Sequence, residues 1–137
     1  MSESSVVAKV VHVAVGVVQD NNGRLLIAQR AEGAHQGGLW EFPGGKVEAQ
    51  ETARQALDRE LKEELGIGVK RARPLIKIPH QYVDKTVLLD VFLIDLFNGK
   101  ARGLERQPIA WVLPSELNDY VFPKANAAII KLLVEQG

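Results

Sequence analysis

GKVEAQETARQALDRELKEELGI, residues 45–67, is the stretch on which the reading of the fold turns. Ala53, Leu57, Leu61 and Leu65 repeat at the spacing of one helix face. Gly66 follows where helices commonly stop, so a helix is expected over Gln50–Leu65. Glu60, Glu63 and Glu64 stand at i, i+3 and i+4, which places three carboxylates on one face. Like charges so placed cost a helix a few tenths of a kcal/mol per pair. A hard divalent cation would remove that cost, and Mg²⁺ favours oxygen ligands completed by water and phosphate. At about 100° per residue, Glu64 falls at the edge of the apolar stripe, with Glu60 and Glu63 further round. Gln55, Asp58 and Lys62 take the solvated arc, so the acids are expected beside the core, in a cleft. The plainer alternative is a charged surface helix whose acids pair with Arg59 or Lys62.

Outward from the helix, the chain divides into short periodic segments. Val10–Val18 is valine-rich and reads as a strand buried on both faces or nearly so. Asp20-Asn21-Asn22-Gly23 is a turn signal, and Leu25–Gln29 follows as the expected hairpin partner. Residues 31–38 are small and polar, a loop. Trp40-Glu41-Phe42-Pro43-Gly44-Gly45 reads as a short strand running into a turn. Further strands are expected at Arg73–Ile78, Thr86–Phe97 and Ile109–Leu113. Pro114–Leu117 suggests a helical turn and Ala125–Val134 a second helix. The order of strands and helices implies an α/β (α+β) fold, a mixed sheet with helices on both sides.

Composition narrows the function. A chain of 137 residues has the length of one domain, expected to span 1–137 with residues 1–8 as a flexible tail. Lys+Arg and Asp+Glu are both 17, so nothing advertises nucleic acid or a membrane as partner. No apolar run approaches the ~18 residues of a membrane span. With Cys 0, disulfides, thiolate metal sites and cysteine nucleophiles are excluded. These features suit a cytoplasmic protein, a monomer or small homo-oligomer.

Gly45, Glu51, Arg59-Glu60-Leu61, Glu63-Glu64 and Gly66-Ile67 fall at the intervals of the Nudix box, so the chain resembles a Nudix hydrolase. Gln29-Arg30-Ala31, His35, Glu41-Phe42-Pro43-Gly44-Gly45-Lys46 and Phe122-Pro123-Lys124-Ala125-Asn126 extend the resemblance to MutT-type members over residues 13–133. It implies an α/β/α sandwich with a mixed central sheet, and a Mg²⁺-dependent (or Mn²⁺-dependent) attack of water on a nucleoside triphosphate. The products would be a monophosphate and pyrophosphate, with 8-oxo-dGTP as the substrate.

The resemblance also implies roles. Glu60, Glu63 and Glu64 would be metal ligands, with a backbone carbonyl near Gly44. Arg59 would orient the acids, while Glu51 and Gly66 would support the site. Glu60 is the first choice as general base; Glu105, in Gly103-Leu104-Glu105-Arg106-Gln107, is a second candidate as base or ligand, against a plain reading as an exposed loop acid. Arg30, Gly45 and Lys46 would meet substrate, Arg30 through its phosphates. Phe42 would line the base pocket. Asn126 would read the purine edge with its amide, although a helix cap is its ordinary alternative. His35 is read as loop structure; His12 and His80 receive no role.

Three competing readings stand beside this one. Other Nudix members act on oxidised dCTP, which the Leu26–Arg30 and Gly38–Phe42 segments also resemble, or on dinucleoside polyphosphates, for which Tyr82 is a faint pointer. A non-catalytic nucleotide-binding module would not need all three acids. A unit attached to a partner enzyme is the third.

Overall fold

The computed structural model describes residues 9–33 and 37–136. The expectations for the 1–8 tail and for His35 lie outside the described residues. The strands are β1 Lys9–Val18, β2 Leu25–Gln29, β3 Trp40–Glu41, β4 Gly44–Lys46, β5 Gly68–Gln81, β6 Lys85–Asn98 and β7 Ile109–Val112; the helices are α1 Ala53–Leu65 and α2 Ala127–Gln136. A mixed four-stranded sheet runs β4-β1-β6-β5, with β1 and β6 parallel, and an antiparallel three-stranded sheet runs β3-β2-β7. The first is the expected mixed sheet, and the second accompanies it.

Side-chain alternation explains the layers. In β1, Ala14 and Val18 face α1 and pack with Leu57, Leu61 and Leu65, together with Leu26, Phe92 and Ile94. Val15 and Val17 face the other way, onto Leu25, Ile27, Val91 and the α2 residues Ile129 and Leu133. Strands apolar on both faces need cover on both faces, and the two helices supply it. The result is a mixed α+β sandwich.

The turn after β1 forms as expected: Asp20 Oδ1 accepts from the Asn22 and Arg24 amides at 2.9 and 2.8 Å, and Gly23 takes φ 77°. Yet β1 and β2 are not a hairpin pair, and share only the Gln19–Leu25 bridge. Both edges of β1 are already taken, with Val15 opposite Gly44 on one side and Val91 on the other. The β2 strand therefore swings into the second sheet.

Helix α1 starts at Ala53, later than Gln50, because Thr52 caps it. Thr52 Oγ1 accepts from the Gln55 amide at 3.1 Å and Gln55 Oε1 accepts from the Thr52 amide at 2.9 Å, a reciprocal capping box. Gly66 closes the helix at φ 72°. Strand β5 is far longer than Arg73–Ile78. It is an outer strand, mostly exposed, and its register shifts near Arg71 and Pro74 accommodate prolines that an inner strand would not.

Candidate active site

Phe42 and Pro43 carry the chain from one sheet to the other, from β3 to β4. A cleft of about 600 Å³ opens at this crossing. Arg30, Phe42, Gly44, Gly45, Lys46, Glu64 and Asn126, all singled out from sequence, line it. Tyr82 from the β5–β6 turn and Lys85 at the start of β6 line it too. The glycines are demanded by contact. A Cβ on Gly44 would run into the Ala14 carbonyl of the paired strand, and one on Gly45 would strike the Glu60 carboxylate. The Glu60 side chain thus lies against the β4 backbone, which joins the acidic face of α1 to the cleft.

Arg59 is the hub on that face. Its Nε and Nη2 donate to Glu51 Oε2 and Oε1 at 2.7 and 2.9 Å, a bidentate pair. Nη1 donates to Glu60 Oε2 at 3.0 Å and reaches Glu63 Oε1 at 3.5 Å, and Nη2 also donates to the Lys46 carbonyl at 3.1 Å. One guanidinium ties the 46–51 segment to Glu60 and Glu63 of the helix. The Glu51 carboxyl is held down at about 2, first by the Arg59 hydrogen bond and then by the Glu48 amide.

Glu64 behaves oppositely. Burial, then a hydrogen bond with Glu60, then the charges of Glu60, Glu41 and Glu105 push its carboxyl well above the usual range. A divalent cation beside two such carboxyls would favour their charged forms. Glu60, Glu64 and the carbonyls of the neighbouring glycine strand therefore suit a hard cation by their chemistry. Among the described residues no three acidic or histidine side chains already converge as a closed cage. Glu63 is the outlying acid. Its side chain is 56% exposed, against 19% for Glu60, so the expectation that all three acids sit beside the core holds for Glu60 and Glu64 only. Glu63 lies next to Lys62 at the solvated edge and is drawn toward Arg59.

Glu41 went unread in the sequence as a site residue. It lines the cleft, lies 3.6 Å from Arg30 Nη1, and has a raised pKa from burial, opposed by Arg30 and reinforced by Glu105. A lone acid ahead of Phe-Pro-Gly-Gly carries no local signal; only the β2–β3 pairing sets it near Arg30.

Glu105 is exposed and does not line the cleft, but its charge bears on both Glu41 and Glu64. Phe42 is buried and stacks on Phe122, with centroids 5.2 Å apart. Asn126 sits inside a 3-10 turn, Lys124–Asn126, and is not a helix cap. Its backbone amide donates to the Pro123 carbonyl at 3.0 Å, and Nδ2 lies 3.5 Å from that same oxygen. Its side-chain carbonyl has no part in helix capping. His12 Nε2 donates to Asp90 Oδ2 at 3.0 Å, away from the cleft lining.

With this geometry, residues 14–132 match the NUDIX domain, and the chain belongs to the Nudix family, whose hydrolases generally act with a divalent metal. Its relatives are of MutT type. It is 37% identical to an 8-oxo-dGTP diphosphatase of Escherichia coli (strain K12), over 91% of this chain and 97% of that protein. It is 33% identical to a CTP pyrophosphohydrolase of the same organism, over 90% of each. A solved structure from work on MutT of Aliivibrio salmonicida and Vibrio cholerae superimposes with TM-score 0.84 at 35% identity, covering 94% of this chain and 100% of that one. Among the described residues no helix is long and apolar enough to cross a membrane.

Proposed function

We propose that this chain hydrolyses 8-oxo-dGTP to the monophosphate and pyrophosphate with Mg²⁺, Mn²⁺ serving as a substitute. The observation that carries the reading is the single cleft joining Arg30, Lys46 and Glu64 with Phe42 and Asn126. It offers charge for a triphosphate, and an aromatic wall with an amide for a base. Glu60, Glu63, Glu64 and the Gly44 carbonyl would hold the metal, with Glu105 as a further ligand or as the base. When bound, the cation supplies a more acidic water and balances charge on the phosphate oxygens. Arg59 fixes the Glu60 carboxylate, Glu51 fixes Arg59, and Gly45 leaves the space in which Glu60 rests. Gly66 ends α1 so that Glu64 stands in its last turn. Glu60, closest to the β4 backbone, is the favoured proton acceptor.

In this reading the chain is one catalytic domain, a monomer or small homo-oligomer working in the cytoplasm on free nucleotides. The 8-oxo-dGTP diphosphatase relative supports the substrate. The CTP pyrophosphohydrolase relative supports a second reading, hydrolysis of CTP or oxidised dCTP in the same cleft. Pyrophosphate release from 8-oxo-dGTP, dGTP, CTP, oxidised dCTP, ADP-ribose and a dinucleoside polyphosphate, with Mg²⁺ and with EDTA, separates the two. A large kcat/KM margin for 8-oxo-dGTP, abolished by EDTA, is the expected result. A margin for a pyrimidine nucleotide transfers the proposal to the second reading, and EDTA-resistant turnover sinks the metal role.

A further inference from the structure

The segment between β6 and β7 closes the end of α1. The last carbonyls of a helix lack intrahelical donors, and here the loop provides them. The Arg102 amide donates to the Leu65 carbonyl at 3.0 Å, and the Leu104 amide donates to the Glu64 carbonyl at 3.0 Å. Gln107 Nε2 reaches that same Glu64 carbonyl at 3.0 Å. The other end of the Gln107 amide is also engaged, its Oε1 accepting from the Glu105 amide at 2.8 Å.

The loop keeps this shape at a conformational cost. Arg106 takes φ 66°, the one left-handed non-glycine among the described residues, a conformation that L side chains rarely adopt. Gly103 packs so closely on the Gln107 carbonyl that a Cβ would collide with it. Such strain persists where surrounding bonds over-determine the geometry, and the half-buried Gln107 side chain is the one that bonds both Glu105 and α1.

We propose that Gln107 is a positioning residue, whose amide clips the backbone of Glu105 to that of Glu64 and so sets where the Glu105 carboxylate stands beside the acidic end of α1. The assignment rests on the reading above that Glu105 acts in the site. The carboxamide offers a donor and an acceptor on one planar group. Glutamate loses the donor and leucine loses both.

The test is a kinetic cycle on the Mg²⁺-loaded enzyme, with 8-oxo-dGTP or whichever nucleotide it turns over best. Gln107→Leu is expected to lower kcat about tenfold with KM within about twofold, since a shift near 1 Å at a reacting group costs up to on the order of 10²-fold. In a Glu105→Gln background the same change should alter kcat by less than about twofold. Gln107→Glu, which keeps the volume and the acceptor, should reproduce the loss and replaces the leucine variant if that one melts below the assay temperature. Equal losses in both backgrounds overturn the positioning role, because a purely structural defect multiplies regardless of Glu105. Unchanged kcat in Glu105→Gln itself overturns the proposal through its premise, and identifies the Glu105 role as what failed. A chain with no nucleotide turnover at all fails earlier, at the proposed function.

Discussion

Gly45→Ala adds one methyl group and should disable the site. A Cβ at Gly45 would lie 2.8 Å from Glu60 Cγ and closer still to its carboxylate. The strand backbone of β4 is pinned to β1 through Ala14, so the Glu60 side chain must move. Moving it breaks the 3.0 Å bond from Arg59. Arg59 keeps its bidentate pair with Glu51, and a partly exposed ion pair contributes little to stability, so Tm should fall by no more than about 4 °C. The kinetic effect should be much larger, on the order of 10²-fold in kcat, because the displaced carboxylate is the proposed proton acceptor and ligand. The assay is Mg²⁺-dependent pyrophosphate release beside thermal unfolding of the same preparation. A variant that keeps kcat within about twofold would refute the claim that Glu60 must lie on the glycine strand. A collapse in Tm far beyond a few degrees would show that the fold, and not the carboxylate, carries the loss.

Three further outcomes are expected. Gly16→Ala should destabilise by about 1–3 kcal/mol without touching the cleft, since its Cβ would sit 2.9 Å from Ile94 Cδ1 and 3.2 Å from Leu57 and Leu61 Cδ1, all fully buried; urea unfolding measures it, and a neutral result would mean that the α1 interface is loosely packed. Glu51 has its carboxyl lowered from 4.5 to about 2 in the folded state, so its stabilising contribution is whole above pH 4.5 and fades as pH falls toward 2; the urea midpoints of wild type and Glu51→Gln should converge over that window, and a gap that widens with acid contradicts the Arg59 pairing. Glu41→Gln removes an ion pair at 3.6 Å between side chains that are both about a third exposed, worth roughly 0.2–1 kcal/mol; KM should rise by less than about fivefold, and a kcat loss of on the order of 10²-fold would instead place Glu41 in the chemistry.

The parts of this fold that were legible in the sequence are those written within one turn or one strand. The Ala53, Leu57, Leu61, Leu65 spacing sees only its own helix, and it matches the buried stripe of α1 at the three leucines, while Ala53 is half-buried and Ala56 is buried instead. Thr52 with Gln55 three positions on was equally local, a start signal the sequence carried and the reading passed over. Strand β5 was harder. Lys70, Arg71, Arg73, Pro74 and Pro79 obscure any alternation, and are tolerated because the strand has a neighbour on one side only. Strand partners were harder again. The Asp20–Gly23 turn signals a hairpin, but whether a turn yields a hairpin depends on whether the edge beside it is free, and both edges of β1 pair with strands more distant in sequence.

The same division runs through the site. Helical spacing alone puts Glu60, Glu63 and Glu64 on one face, yet spacing treats them alike and their surroundings do not. Glu64 is half-buried beside Glu60 and under the influence of Glu41 and Glu105, while Glu63 faces water. Helical phase cannot make that distinction, because what covers Glu64 comes from elsewhere: β3 brings Glu41, and the loop before β7 brings Glu105. The acid most perturbed in the site is therefore the one whose environment is least local. Its charge is held in check first by burial and by Glu60, and then by two acids that the box does not contain, so a variant series confined to the box would sample only part of the electrostatics that a cation and a triphosphate must meet.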